Sequence, residues 1–120
     1  ELSGTPIELN EGFSKIQIKT SEKMVADEFG LVHGGFTFSL ADYAAMLAVN
    51  HPNVLLTRAS VKFLKPVLLG DLLIAEGKIV ENEGKRYIVK VTVRRENDLI
   101  FEGDFLCYVP KNHILKSERK

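Results

Sequence analysis

A chain of 120 residues that is 45% hydrophobic has the length for one domain with a real core and not for two. Its 16 basic and 16 acidic side chains cancel, so no overall field draws it to nucleic acid or to an anionic membrane. The single cysteine, Cys107, excludes an intrachain disulfide and a multi-cysteine zinc site, and fits a reducing compartment. With no apolar run of membrane-span length and no basic-then-apolar leader, a cytoplasmic protein is expected.

In chain order, Glu1 to Gly12 is polar with Gly and Pro and is expected to pack loosely. Phe13 to Thr20 alternates, Ile16 and Ile18 against Lys15, Gln17 and Lys19, which is the period of a half-buried strand. Ser21 can cap a short helix running to Phe29, and Gly30 suits the left-handed position that ends one. A long helix is predicted from about Gly35 to Val49, stopped by Asn50-His51-Pro52-Asn53 because Pro52 disfavours helical geometry just before it.

Everything beyond Asn53 reads as strands. Val54 to Leu64 puts Leu55, Thr57, Ala59, Val61 and Phe63 on one face and Arg58, Ser60 and Lys62 on the other. Lys65 to Asp71 connects to a strand over Leu72–Val80, Asn82 to Lys85 has turn chemistry, and Tyr87, Val89, Val91 and Val93 alternate beyond it. Glu96-Asn97-Asp98 turns again before a last strand over Ile100–Val109, and Lys111 to Lys120 is a charged tail expected to pack loosely. The order is strand, helix, then four strands, with no repeat and no linker, so one domain spans 1–120. Tight turns join antiparallel neighbours, and a helix apolar on nearly every side needs a sheet curved around it. The fold class is therefore α+β, a curved antiparallel sheet of about five strands wrapped around one long central helix.

Between Leu31 and Val49 the chain is apolar or small almost throughout and carries one formal charge, Asp42. His33-Gly34-Gly35, followed by Phe38, Leu40, Ala41-Asp42 and Ala48-Val49-Asn50, resembles the central-helix motif of hotdog-fold acyl-CoA thioesterases, the PaaI-like branch related to 4-hydroxybenzoyl-CoA thioesterase. Phe63-Leu64-Lys65-Pro66 with Gly70-Asp71 is similar to that family's second strand and the connection after it. The resemblance covers about Asp27 to Asp71. It implies hydrolysis of an acyl-CoA thioester, no cofactor, and a homodimer or homotetramer with active sites between subunits.

Such chemistry needs a donor for the carbonyl oxygen and a base or nucleophile. The first amides of a helix have no partner inside it, so the N–H groups of Gly34 and Gly35, uncovered by side chains, suit an oxyanion backed by the helix dipole. Asp42, a carboxylate in apolar surroundings, is the candidate base or nucleophile. It lies seven residues beyond Gly35, so at roughly 1.5 Å per residue the two are about 10 Å apart along the axis on nearly one face. One helix cannot serve one carbonyl with both, whereas two antiparallel helices across a dimer axis can.

His33 is read as the residue that leads into the helix, available to orient water or the acyl group. Asp27 stands six residues before it, where relatives often have Asn; the change keeps an acceptor, loses an amide donor and adds charge. Thr57 is a candidate for holding the attacking water, and Lys62, Lys65, Arg86 and Arg95 are candidates for the phosphates of coenzyme A. Taken alone, Asp42 reads as a structural carboxylate paired with a group such as Arg58. Cys107 alternates with Phe105 and Val109 and reads as core, with a Cys107–His33 nucleophile pair as the chemical alternative. His51 and His113 read as loop and tail, and no metal-ligand spacing is present. Two rival readings remain, a non-catalytic acyl-CoA binding or sensing domain and a hotdog hydratase or dehydratase.

Overall fold

Alternating apolar residues in five successive segments, and a sixth without that pattern, build one antiparallel sheet on which a single helix lies. The computed structural model describes residues 4–110. In chain order these are β1 (Thr5–Asn10), β2 (Phe13–Lys19), a single 3-10 turn at Glu22–Met24, α1 (Gly34–Val49), β3 (Leu55–Phe63), β4 (Leu72–Glu83), β5 (Arg86–Arg95) and β6 (Asp98–Tyr108). The sheet order is β1-β2-β4-β5-β6-β3, antiparallel throughout.

The sheet has six strands rather than five. The extra one, β1, lies in the stretch expected to be loose; all six of its residues are exposed, and a register shift between Pro6 and Glu8 interrupts its pairing with β2. An edge strand with a proline and no buried face carries no period-2 signature. The short helix expected from Ser21 to Phe29 is only the Glu22–Met24 turn, and Ser21 makes no capping bond. The chain instead extends at Val25, where it bridges to Val32, so the segment is a β-like loop. Gly30 does take the left-handed conformation (φ 84°), as does Asn50 at the end of α1 (φ 52°), whose N–H reaches the Met46 carbonyl. The 111–120 tail lies outside the described residues.

In β3 the inward residues differ from simple alternation. The register shifts between Leu56 and Arg58, so Leu56 pairs with Cys107 and Ala59 with Phe105, leaving Thr57 as the extra residue of a bulge. Leu56, not Leu55, therefore packs on the core.

The helix meets the sheet through its small residues. Ala41, Ala44, Ala45 and Ala48 are buried with Leu40 and Thr37, against Ile16, Ala75, Val91, Phe101 and Phe105 from the strands. One stripe of α1 is covered, while Phe36, Phe38, Tyr43, Met46, Leu47 and Val49 on its flanks are only half-buried. The helix thus lies packed against the six-stranded sheet, this stripe fully covered and its flanks partly so. The helix backbone comes close to the sheet at Gly77, where a Cβ would stand 2.6 Å from the Ala44 carbonyl oxygen. Beside it the buried Ser14 hydroxyl donates to that same oxygen at 2.6 Å. No helix among the described residues is long and apolar enough to cross a membrane.

Candidate active site

His33 has an extended backbone (φ −58°, ψ 132°), and its N–H donates to the Met24 carbonyl at 2.9 Å, which anchors the chain just before α1 begins. No side chain caps the helix and no acidic residue lies in its first turn. Gly34 sits beside the Phe63 ring, whose nearest atom would be 3.4 Å from a Cβ there, whereas a Cβ on Gly35 would meet nothing within 4 Å. Two open amides thus stand at the positive end of the helix dipole. The exposed His33 ring lies 6.2 Å from that of Phe36.

Gly35, Phe38 and Asp42 follow at intervals of three and four residues and so form one stripe along α1. Phe38 shows where that stripe faces, since its ring lies 5.6 Å from Phe105 of β6. Asp42 Oδ1 is buried and has no hydrogen-bond partner among the described residues. Burial holds its carboxyl above the usual carboxylate range, because the charged form loses water and gains no donor. The anticipated partner Arg58 is exposed in β3, opposite Leu106, and no ion pair to Asp42 forms among the described residues. Behind the stripe lies Cys107, fully buried, its thiol pushed up to about 11 by burial and then by the charge of Asp42. A fully buried thiol raised in this way is held in its inert, protonated form, as expected of a core cysteine.

The other candidates fall in separate places. The Asp27 carboxylate faces its own loop, accepting from the N–H groups of Phe29 at 3.0 Å and Leu31 at 2.9 Å. Asparagine could accept both as well, so these bonds do not explain the charge. The Thr57 hydroxyl donates to the Leu106 carbonyl at 3.0 Å across the bulge. Lys62 lines a shallow depression with Ser60, Lys90, Glu102 and Asp104, on the sheet face away from α1. Arg86, exposed, borders another with Glu81, Glu83 and Ile88. Lys65 pairs with Asp98 at 3.2 Å and borders a pocket of ≈ 220 Å³ that opens beside Gly34 between Thr37, Phe63, Pro66 and Val67. The structure thus gathers Gly34, Phe63 and Lys65 at the head of α1 and sets Lys62 and Arg86 apart.

Two contributions escaped sequence reasoning. Phe63, exposed at the end of β3 and 5.1 Å from Phe101 in an edge-on pair, walls the helix start. Arg95, taken for a phosphate ligand, is engaged by Asp71 at 2.8 Å and by the Pro66 carbonyl at 3.1 Å. The Gly70-Asp71 pair was the available signal, but its partner lies 24 residues away and no local pattern encodes it. Among the described residues no three His, Cys, Asp or Glu side chains cluster as a metal site.

This arrangement is the hotdog thioesterase fold, and the chain belongs to the thioesterase superfamily, whose family model matches residues 29–101. An uncharacterized protein from Pyrococcus horikoshii, PH1136, superposes with a TM-score of 0.93 at 54% identity, over 95% of this chain and 88% of that one. Among curated relatives, a methylthioribose-1-phosphate isomerase from Aquifex aeolicus is 54% identical over 88% of this chain, which spans 23% of that protein. The transcription factor FapR from Caldanaerobacter subterraneus is 29% identical over 97% of this chain, which spans 58% of it. The chain thus corresponds to only part of both relatives. At 23% identity, smu.793 from Streptococcus mutans, solved bound to acetyl CoA, shares the fold with a TM-score of 0.82, over 89% of this chain and 88% of that one.

Proposed function

We propose that this chain hydrolyses the thioester bond of a small acyl- or aryl-CoA to the free acid and coenzyme A. The observation that carries the reading is Asp42, a half-buried carboxylate whose Oδ1 is buried without a donor, on the same helical stripe as the uncapped Gly35 amide. Membership of the thioesterase superfamily and the acetyl CoA held by a protein of the same fold supply the substrate class.

The Gly35 N–H, with Gly34 beside it, donates to the thioester oxygen as negative charge develops there, and the helix dipole adds to the effect. Asp42 either takes a proton from the attacking water or attacks the carbonyl carbon itself to form an anhydride that water then opens. In both routes the C–S bond breaks and the thiolate of coenzyme A leaves. At roughly 1.5 Å per residue, about 10 Å along one axis separates Gly35 from Asp42, too far for one carbonyl to meet both. Each site is therefore composite, with the amide from one subunit and Asp42 from its partner, in a homodimer or a homotetramer built from it. The outer edge of β3 pairs with no described strand and lies on the side to which the stripe leans, so a second copy has room to approach. His33, exposed and immediately before these amides, is available to orient water or the acyl group, and Lys65 lines the pocket beside Gly34.

Release of thiol from a panel of acyl- and aryl-CoAs, measured on the wild type and on Asp42→Ala, tests the proposal. Loss of a positioned base lowers turnover on the order of 10²–10⁴-fold. Wild-type protein that binds acyl-CoA without releasing thiol would instead support a sensing domain, the reading that the FapR relationship favours. A change in double-bond absorbance without thiol release would mark a hydratase.

A further inference from the structure

The segment from Pro66 to Asp71 is fastened along both margins. On one, a single guanidinium nitrogen of Arg95, at the end of β5, donates to the Asp71 carboxylate at 2.8 Å and to the Pro66 carbonyl at 3.1 Å. The same Asp71 oxygen accepts the Leu68 N–H at 2.8 Å. Thr20, just beyond β2, closes that margin with its hydroxyl on the Leu68 carbonyl at 2.8 Å and its N–H on the Asp71 carbonyl at 2.9 Å. On the other margin the Val67 carbonyl accepts the Val32 N–H at 2.8 Å, and the Leu69 N–H donates to Gly30 at 2.8 Å.

Val32 immediately precedes His33 and the two glycines. The backbone that delivers the helix-start amides is therefore laddered onto a segment whose opposite margin is fixed by Arg95. The same segment supplies Pro66 and Val67 to the wall of the pocket beside Gly34. Arg95 and Asp71 are part-buried where they meet, with side chains 25% and 20% exposed, so water screens their contact less than it does a fully exposed pair. Asp98 reaches Arg95 only at 3.7 Å and is half exposed, which makes it a peripheral partner.

We propose that Arg95 is a positioning residue for the thioester site: through Asp71 and Pro66 it sets the height of the 66–71 segment, and through the Val67–Val32 bond that segment sets where the Gly34 and Gly35 amides stand. The role rests on the thioesterase reading above. It favours an arginine, because the two N–H groups of that one planar nitrogen point in fixed directions at the carboxylate and the carbonyl, while the donors of a lysine ammonium rotate freely on a flexible stem. Displacing a catalytic group by about 1 Å costs on the order of 10²-fold in rate.

The test uses the whole chain as Arg95→Met, Arg95→Lys, Asp71→Asn, the Arg95→Met/Asp71→Asn double variant and Asp98→Asn. Amide exchange by NMR is read beside thiol release from hexanoyl-CoA and benzoyl-CoA, well below the melting temperature. In Arg95→Met, exchange at the Val32 and Leu69 amides is expected to quicken by about tenfold or more while Ala75 and Val91 keep their protection. The kcat falls between about 10- and 100-fold with little change in KM. Asp71→Asn gives a similar loss and the double variant adds little to it, because the two act as one unit. Arg95→Lys lies between, and Asp98→Asn keeps the wild-type exchange at Val32 and Leu69. Unchanged exchange at Val32 and Leu69, or exchange raised equally at Ala75 and Val91, overturns the proposal. Wild type that releases no thiol from any acyl-CoA sinks the thioesterase reading alone, and the exchange pattern then decides whether Arg95 holds the helix start.

Discussion

Ser14 of β2 donates its hydroxyl to the Ala44 carbonyl of α1 at 2.6 Å, and Gly77 of β4 leaves the room that this contact needs. The bond lies two residues past Asp42, so it pins the helix to the sheet beside the carboxylate. Ser14→Ala removes a buried hydrogen bond, and equilibrium denaturation should register about 1–2 kcal/mol of lost stability. Gly77→Ala is expected to be worse, because its methyl would press on backbone rather than on a mobile side chain. A loss of about 1–3 kcal/mol or more is anticipated from such overpacking.

Asp42→Asn should separate activity from stability. Burial raises the folded-state carboxyl above its unfolded value, so the native protein binds the proton more tightly than the unfolded chain does. The charged carboxylate therefore destabilises the fold above the folded pKa, and the penalty vanishes below the unfolded one. Melting measured against pH should show Asp42→Asn more stable than wild type at neutral pH, with the gain disappearing in acid. The wild-type kcat/KM should fall in acid along a limb whose midpoint lies above the usual carboxylate range.

Cys107 should resist alkylation. Its thiol is fully buried and raised to about 11, so iodoacetamide at pH 8 is expected to leave the native protein unmodified and to label it in denaturant. In Asp42→Asn one of the two causes of that shift is gone, and the thiol pKa should come down.

Composite sites make a prediction about mixtures. Gly35→Pro removes one helix-start N–H in the first turn, where proline is tolerated, and the space around that position is open. Gly35→Pro and Asp42→Asn should each be inactive alone. Mixed by unfolding and refolding together, half the dimers are hybrids with one intact site in two, so about a quarter of wild-type activity should return. A mixture as inactive as its components would place amide and carboxylate in the same subunit.

The elements with a strong local signature were legible in the residues: the α1 helix, its Asn50 end, and the strands with a buried face. What escaped depends on relationships that no local period encodes. An exposed edge such as β1 has no alternation to read, and the bulge at Thr57 inverts the faces of β3 ahead of it, at Leu55 and Leu56, while Ala59 and Val61 beyond it face the core as alternation predicts. Asp27 and Lys65 drew notice as site residues, yet one carboxylate folds its own loop and the lysine is paired with Asp98. The Asp42 stripe followed from helical spacing, whereas the Arg95–Asp71 contact joins strand ends far apart in the chain.

Gly35 has room for a methyl group, and nothing in its own fold demands its glycine. Alanine in a helix is favoured over glycine by about 1 kcal/mol, so this position is kept below its attainable robustness. Gly35→Ala should melt higher and turn over more slowly, the exchange expected where a bare backbone is reserved for whatever docks against it.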